Sequence, residues 1–144
     1  MAKTTRSLLI EASPDAVWEL IGGFDSLPQW LPYIPSSEVT KGGRIRHLAN
    51  PDGHVIIEQL EVFDNAARTY SYSILQAPFP VTNYLATLQV HEVAGEKNTS
   101  LVEWSGKFTP IHNATDEEVI ALFNGIFSDG LKAIKAAFLC KNSY

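Results

Sequence analysis

The C-terminal third of the chain carries apolar residues at helical spacing. Val119, Phe123, Ile126, Phe127, Gly130, Ile134 and Phe138 fall on one stripe, as a helix with one buried face requires. Thr115-Asp116-Glu117-Glu118 comes just before them. It reads as a capping box, with threonine at the cap and glutamate three residues on. The helix this predicts reaches about residue 139 and is roughly 37 Å long at 1.5 Å per residue. The middle of the chain has a shorter period. Alternation predicts strands near 36–41, 43–49, 54–63, 68–75, 83–92 and 99–109. Turn signals separate them at Gly42-Gly43, Asn50-Pro51-Asp52-Gly53, Asp64-Asn65 and Gly95-Glu96-Lys97-Asn98. Connections this short favour antiparallel neighbours.

The N-terminal part predicts a strand over 4–11, then a helix. Ser13 supplies a capping hydroxyl, Pro14 the first helical position and Asp15 a first-turn acid. Val17, Trp18, Leu20 and Ile21 follow, and Gly22-Gly23 ends the helix. Residues 24–31 form a short second helix or a turn. The stretch 28–35 holds Pro28, Pro32 and Pro35 around Trp30 and Tyr33 and forms no regular element. The stretch 76–82, with Pro78, Phe79 and Pro80, is too rich in proline for a strand interior. The long helix must bury its stripe, and only the concave face of the sheet is large enough. The expectation is therefore an α+β fold: a curved antiparallel sheet wrapped round a long C-terminal helix, with two short helices after the first strand. One domain spans 1–140, and 141–144 is a short tail.

Alternation also assigns faces. In 54–63, Ile56, Glu58, Leu60 and Val62 share one face, opposite Ile57, Gln59, Glu61 and Phe63. Gln59 and Glu61 need water, so the first face is expected inside, which places Glu58 among aliphatics. Tyr70, Tyr72 and Ile74 share a face, as do Tyr84, Ala86, Leu88 and Val90, and Val102, Trp104, Gly106 and Phe108. Strand 43–49 stays ambiguous, with Arg44, Arg46 and Leu48 on one side and Ile45 and His47 on the other. An inward carboxylate must be paired, hydrogen-bonded or protonated. Arg46 is a candidate partner if it faces inward. A structural reading stands beside the functional one: Glu58 could anchor Arg46 as a plain ion pair, and inward tyrosines are often core. Gly125 and Gly130 in the long helix either leave room for a ligand or let helix and sheet approach closely.

Composition narrows the function classes. The 144 residues are 45% hydrophobic and 19% charged, with a formal net charge of −5. A chain of this length folds without disulfide staples, and Cys140 is the only cysteine. An acidic balance with scattered lysines and arginines argues against a nucleic-acid partner. No apolar run approaches the ~18 residues of a spanning helix. Residues 1–6 are polar and unlike a secretory leader, so the expected location is cytoplasmic. His47, His54, His91 and His112 lack metal-ligand spacing. There is no phosphate-binding glycine loop and no G-x-S-x-G elbow. Neither metal nor cofactor is expected.

Taken together, these segments resemble the START-like, helix-grip (SRPBCC, or birch-pollen-allergen-like) superfamily. Within it the chain is similar to the polyketide cyclase/dehydrase and lipid-transport family and to the lachrymatory-factor synthases of onion. The resemblance runs over nearly the whole chain. It rests on Ala12-Ser13-Pro14-Asp15-Ala16-Val17-Trp18 at the first strand-to-helix junction, Trp30-Leu31-Pro32, and Gly43-Arg44-Ile45-Arg46. Glu58-Gln59-Leu60 resembles the synthase's catalytic-glutamate strand, and Arg46 falls where its essential arginine lies. Ser71-Tyr72-Ser73-Ile74 and Asn83-Tyr84-Leu85-Ala86 resemble its tyrosine-bearing strands, and Glu103-Trp104 its glutamate–tryptophan pair. The resemblance implies an inward Arg46. The chain departs from the synthases at 76–82, where proline and phenylalanine replace a more polar loop.

The function this implies is binding of a small hydrophobic molecule between sheet and C-terminal helix. Cofactor-free acid–base chemistry of the cyclase, dehydratase or isomerase type would use Glu58 and Arg46 as catalytic residues. Trp30, Tyr72, Phe79, Tyr84, Trp104, Phe123 and Phe127 are the expected ligand-binding residues. The alternatives are a non-catalytic carrier or sensor, with Arg46 holding a ligand carboxylate or carbonyl, and a protein-interaction domain. The expected assembly is a monomer or homodimer without stable membrane insertion.

Overall fold

The computed structural model describes residues 2–31, 34–49 and 52–141. Pro32 and Tyr33 of the proline-rich stretch, Asn50-Pro51 of the second turn, and the tail from 142 onward lie outside the described residues. Seven strands form one sheet: β1 (Ala2–Ile10), β2 (Ser36–Thr40), β3 (Ile45–Ala49), β4 (Val55–Asp64), β5 (Thr69–Gln76), β6 (Val81–Val93) and β7 (Glu96–Pro110). Two short helices, α1 (Pro14–Ile21) and α2 (Leu27–Trp30), separate β1 from β2, and α3 (Asp116–Lys141) closes the chain. The spatial order is β1-β7-β6-β5-β4-β3-β2, and every pair is antiparallel. This is the START-like arrangement that the element order predicts. Among the described residues no helix is long and apolar enough to cross a membrane.

The caps form as their chemistry requires. Ser13 Oγ accepts from the Ala16 amide at 3.2 Å. Thr115 Oγ1 accepts from the Glu118 amide at 3.1 Å and donates to the Glu118 carboxylate at 3.2 Å. Val119, Phe123, Phe127, Ile134 and Phe138 of α3 are all buried, and the helix packs on β1 and β7. The Thr4 hydroxyl donates to Asn124, and Arg6 Nε donates to Ser128 at 3.1 Å, so two polar rivets fix the helix along β1.

Two turns are tighter than the sequence implies. Gly42 and Gly43 take φ values of 70° and 88° inside a 3-10 turn over Lys41–Gly43, so β3 starts at Ile45 rather than at 43. Gly95 has φ 78° in a two-residue hairpin turn with Ala94, so 96–98 belongs to β7 and not to the loop.

Val62 is a correction. It was expected inside but is 54% exposed. The β4–β5 register shifts between Leu60 and Val62, so Leu60 faces Tyr72 while Phe63 faces Tyr70. The extra residue reverses the alternation and turns Phe63 toward Trp18, with ring centroids 5.8 Å apart.

The two helix glycines also separate. A Cβ on Gly130 would sit 2.4 Å from the Trp104 ring, whereas one on Gly125 would meet nothing within 4 Å. Gly130 permits close helix–sheet contact; Gly125 is exposed and serves neither suggested role.

Candidate functional site

The inner faces of β3 to β7, with α2 and α3, leave a cavity of about 230 Å³. Leu48, Ile56 and Ile74 form its aliphatic wall, and Tyr72, Tyr84, Trp104 and Phe123 its aromatic wall. Leu27, Leu31, Ile34, Phe79 and Ile126 complete the lining. Among the described residues, Arg46 and Glu58 are the only charged ones in its lining. A larger groove of about 710 Å³ lies elsewhere, lined by Glu11, Ser13, Glu19, Gln29, Asn98, Phe138 and neighbours; it is open to solvent and has no buried charge.

Adjacent strands bring the charged pair together. Arg46 and Glu58 are direct partners across β3 and β4, so their side chains leave the sheet on the same face. Arg46 is 1% exposed and Glu58 7%. Arg46 Nε and Nη2 approach the same carboxylate oxygen, Oε1, at 2.8 and 2.7 Å. Nη1 donates to the Phe24 carbonyl at 3.1 Å. The guanidinium carbon lies 4.2 Å from the Phe24 ring centroid and 4.8 Å from that of Tyr72. The cation is thus held edge-on by a carboxylate and a carbonyl and covered by two rings. Arg46 makes no bond to Glu58 Oε2.

Opposed forces set the protonation of this centre. Burial disfavours the charge on Arg46, but Glu58, Tyr70 and Tyr72 together outweigh it and leave the guanidinium holding its proton more tightly than usual. Burial pushes the Glu58 carboxyl above the ordinary carboxylate range, and Arg46 offsets part of that rise. Tyr72 is raised by burial first and then by the Glu58 charge. Tyr84 is raised by burial and by its neighbour Tyr72. Both phenols therefore stay protonated and can donate. Trp104 Nε1 donates to the Tyr72 hydroxyl at 3.1 Å, and the Tyr72 and Tyr84 hydroxyls hydrogen-bond each other.

Backbone irregularities surround the site. The β4–β5 register shifts between Ile57 and Glu58. The β6–β7 register shifts between Thr82 and Leu85, where Asn83 has φ 53°. Bulges re-aim side chains. Tyr84 follows Asn83 and stacks on Phe108 at 6.1 Å and 15° while approaching Phe123 at 5.1 Å.

Of the residues singled out in the sequence, Arg46, Glu58, Tyr72, Phe79, Tyr84, Trp104 and Phe123 meet at this cavity. Trp30 and Phe127 do not reach its lining. Both pack on Trp104, with centroids at 6.1 and 5.3 Å, because the cavity-facing position behind each is already filled by the indole. Phe79 is half-buried and meets Phe123 edge-on at 5.4 Å. Phe24 was not anticipated, since its contribution is a carbonyl and a ring face inside a short irregular segment. Leu27, Leu31 and Ile34 were missed too; their flanking prolines mark irregular backbone but carry no period to show direction. Among the described residues no cluster of His, Cys, Asp and Glu could hold a metal ion.

A family model described as "Polyketide cyclase / dehydrase and lipid transport" matches residues 1–138. Among solved structures, the protein XoxI from Bacillus cereus is 64% identical over 100% of both chains, with a TM-score of 0.95. An uncharacterised protein from Bacillus thuringiensis is 65% identical over 96% of this chain and 99% of its own, with a TM-score of 0.93. A START superfamily protein from Mycobacterium smegmatis shares the fold at 14% identity, covering 95% of this chain and 97% of its own, with a TM-score of 0.79.

Proposed function

The chain belongs to the polyketide cyclase/dehydrase and lipid-transport family, and on that footing we propose that it binds one small, largely apolar molecule between sheet and α3 and moves a proton on it through Glu58. The observation that carries this reading is the buried carboxylate with only one oxygen engaged by Arg46, facing an otherwise apolar cavity. At about 230 Å³ the space lies below the ~300–1,000 Å³ of sites for drug-sized ligands, so the molecule is compact. Glu58 Oε2 takes a proton from an acidic C–H or O–H of the ligand and returns it at a second atom. That step needs no cofactor and gives an isomerisation, or a cyclisation or dehydration when a leaving group departs. Tyr72 and Tyr84 are protonated and hydrogen-bond each other, which leaves one phenol proton of the pair for a ligand carbonyl that gains charge as the proton leaves. Arg46 is a positioning residue: it fixes the Glu58 rotamer and moderates its basicity.

The test separates catalysis from carriage. Glu58→Gln keeps the side-chain size and an acceptor for Arg46 but removes the base. The expected result is loss of solvent deuterium incorporation into a bound ketone, with affinity changed less than tenfold. Unchanged exchange in the variant sinks the catalytic part and leaves a carrier.

A further inference from the structure

Resting on that reading of the pocket, we infer that the cavity selects neutral ligands that present a hydrogen-bond donor, and that it rejects carboxylates. The argument is an account of what each charged atom is free to do. A ligand carboxylate needs an available cation, and a bidentate arginine is the usual means. Among the described residues, Arg46 is the only cation lining the cavity. Its Nε and Nη2 already meet Glu58 Oε1 and its Nη1 meets the Phe24 carbonyl. Phe24 and Tyr72 cover its faces, and 1% of its surface is open. An anionic ligand would instead meet Glu58, a like charge inside an apolar wall, and such juxtaposition is strongly unfavourable. The unengaged Oε2 asks for the opposite partner, an O–H or N–H donor.

The same geometry makes the preference depend on one proton. The ionisable groups facing Glu58 are Arg46 from β3, Tyr72 from β5 and Tyr84 from β6. The cavity-lining residues of α2 and α3, Leu27, Phe123 and Ile126, are all apolar. With Glu58 neutral, nothing cancels the Arg46 charge, and the cavity becomes attractive to an acid.

Three probes of one skeleton test this by titration calorimetry at pH 7.5: 4-ethylphenol, 4-ethylanisole and 4-ethylbenzoate. The expected order is phenol tightest, anisole weaker and benzoate at least tenfold weaker than phenol. In Glu58→Gln the benzoate gains at least tenfold and overtakes the phenol. Benzoate binding as tightly as phenol in the wild type overturns the charge selection and leaves the pocket standing. Anisole equal to phenol overturns the donor requirement. Failure of all three probes removes the pocket reading and this inference with it.

Discussion

Removing Arg46 tests the polar centre most directly. In Arg46→Met the side chain keeps its apolar stem but the Glu58 carboxylate loses both contacts to Oε1. The remaining carboxylate is buried and unpaired, and such a loss costs ~3–5 kcal/mol. An independent route gives a similar figure. The carboxyl can escape its charge by taking a proton; from an ordinary value of 4.5, staying neutral at pH 7 costs about 3.4 kcal/mol at 1.36 kcal/mol per pH unit, an upper bound because the raised wild-type value already carries part of it. At pH 5 the same cost is about 0.7 kcal/mol. The loss of the Phe24 and Tyr72 ring contacts adds about 0.5–2 kcal/mol that does not depend on pH. Urea unfolding followed by tryptophan fluorescence should therefore show a penalty of about 3–4 kcal/mol at pH 7 that shrinks at pH 5, by at most about 2.7 kcal/mol. A penalty below about 1 kcal/mol at pH 7, or one that is the same at both pH values, would refute the reasoning.

Three further outcomes follow from the geometry. Gly130→Ala should destabilise by more than 1 kcal/mol in the same assay, because its Cβ meets the Trp104 ring at 2.4 Å, whereas Gly125→Ala should stabilise by up to ~1 kcal/mol through helix propensity alone. Because the folded Glu58 value is raised, the folded state binds more protons above pH 4.5. Its contribution is therefore fully present below that value and lost as pH rises through the folded value; Glu58→Gln should gain on the wild type over that window, and parallel pH profiles would contradict it. Amide hydrogen exchange across 76–85 should slow on saturation with 4-ethylphenol if the loop carrying Phe79 closes the cavity, and unchanged exchange would count against a gate there.

Regular elements were legible because burial follows simple periods. Glu58 was assigned inward because Gln59 and Glu61 on the opposite face need water, and the capping box fixed the start of α3. What failed was where a single residue breaks the period. The bulge between Leu60 and Val62 sends Val62 out and Phe63 onto Trp18, and no residue type there announces it. Strand 43–49 could not be oriented by hydropathy, because Arg46 is buried as a cation between rings. Trp30 and Phe127 showed the limit of inferring a lining from aromatic character. Both are buried, but a second layer behind Trp104 and a first layer on a cavity look alike in one dimension. Gly125 and Gly130 present the same residue and differ only in what stands opposite.

The energetics of the pair bear on why it is there. Replacing a buried ion pair by apolar side chains of similar volume is often neutral or stabilising by ~1–4 kcal/mol, so the burial of Arg46 and Glu58 is weak evidence for a stabilising role. The double variant Arg46→Met/Glu58→Leu should then recover most of the stability lost in Arg46→Met, within about 1–2 kcal/mol of the wild type. It should also lose the preference for 4-ethylphenol over 4-ethylanisole, since the charged Arg46 and Glu58 are gone from the lining. A chain that keeps its fold without the pair but loses its discrimination assigns the pair to recognition. If instead the double variant is as unstable as the single one, the pair is structural, and the structural reading of Glu58 as an anchor for Arg46 prevails.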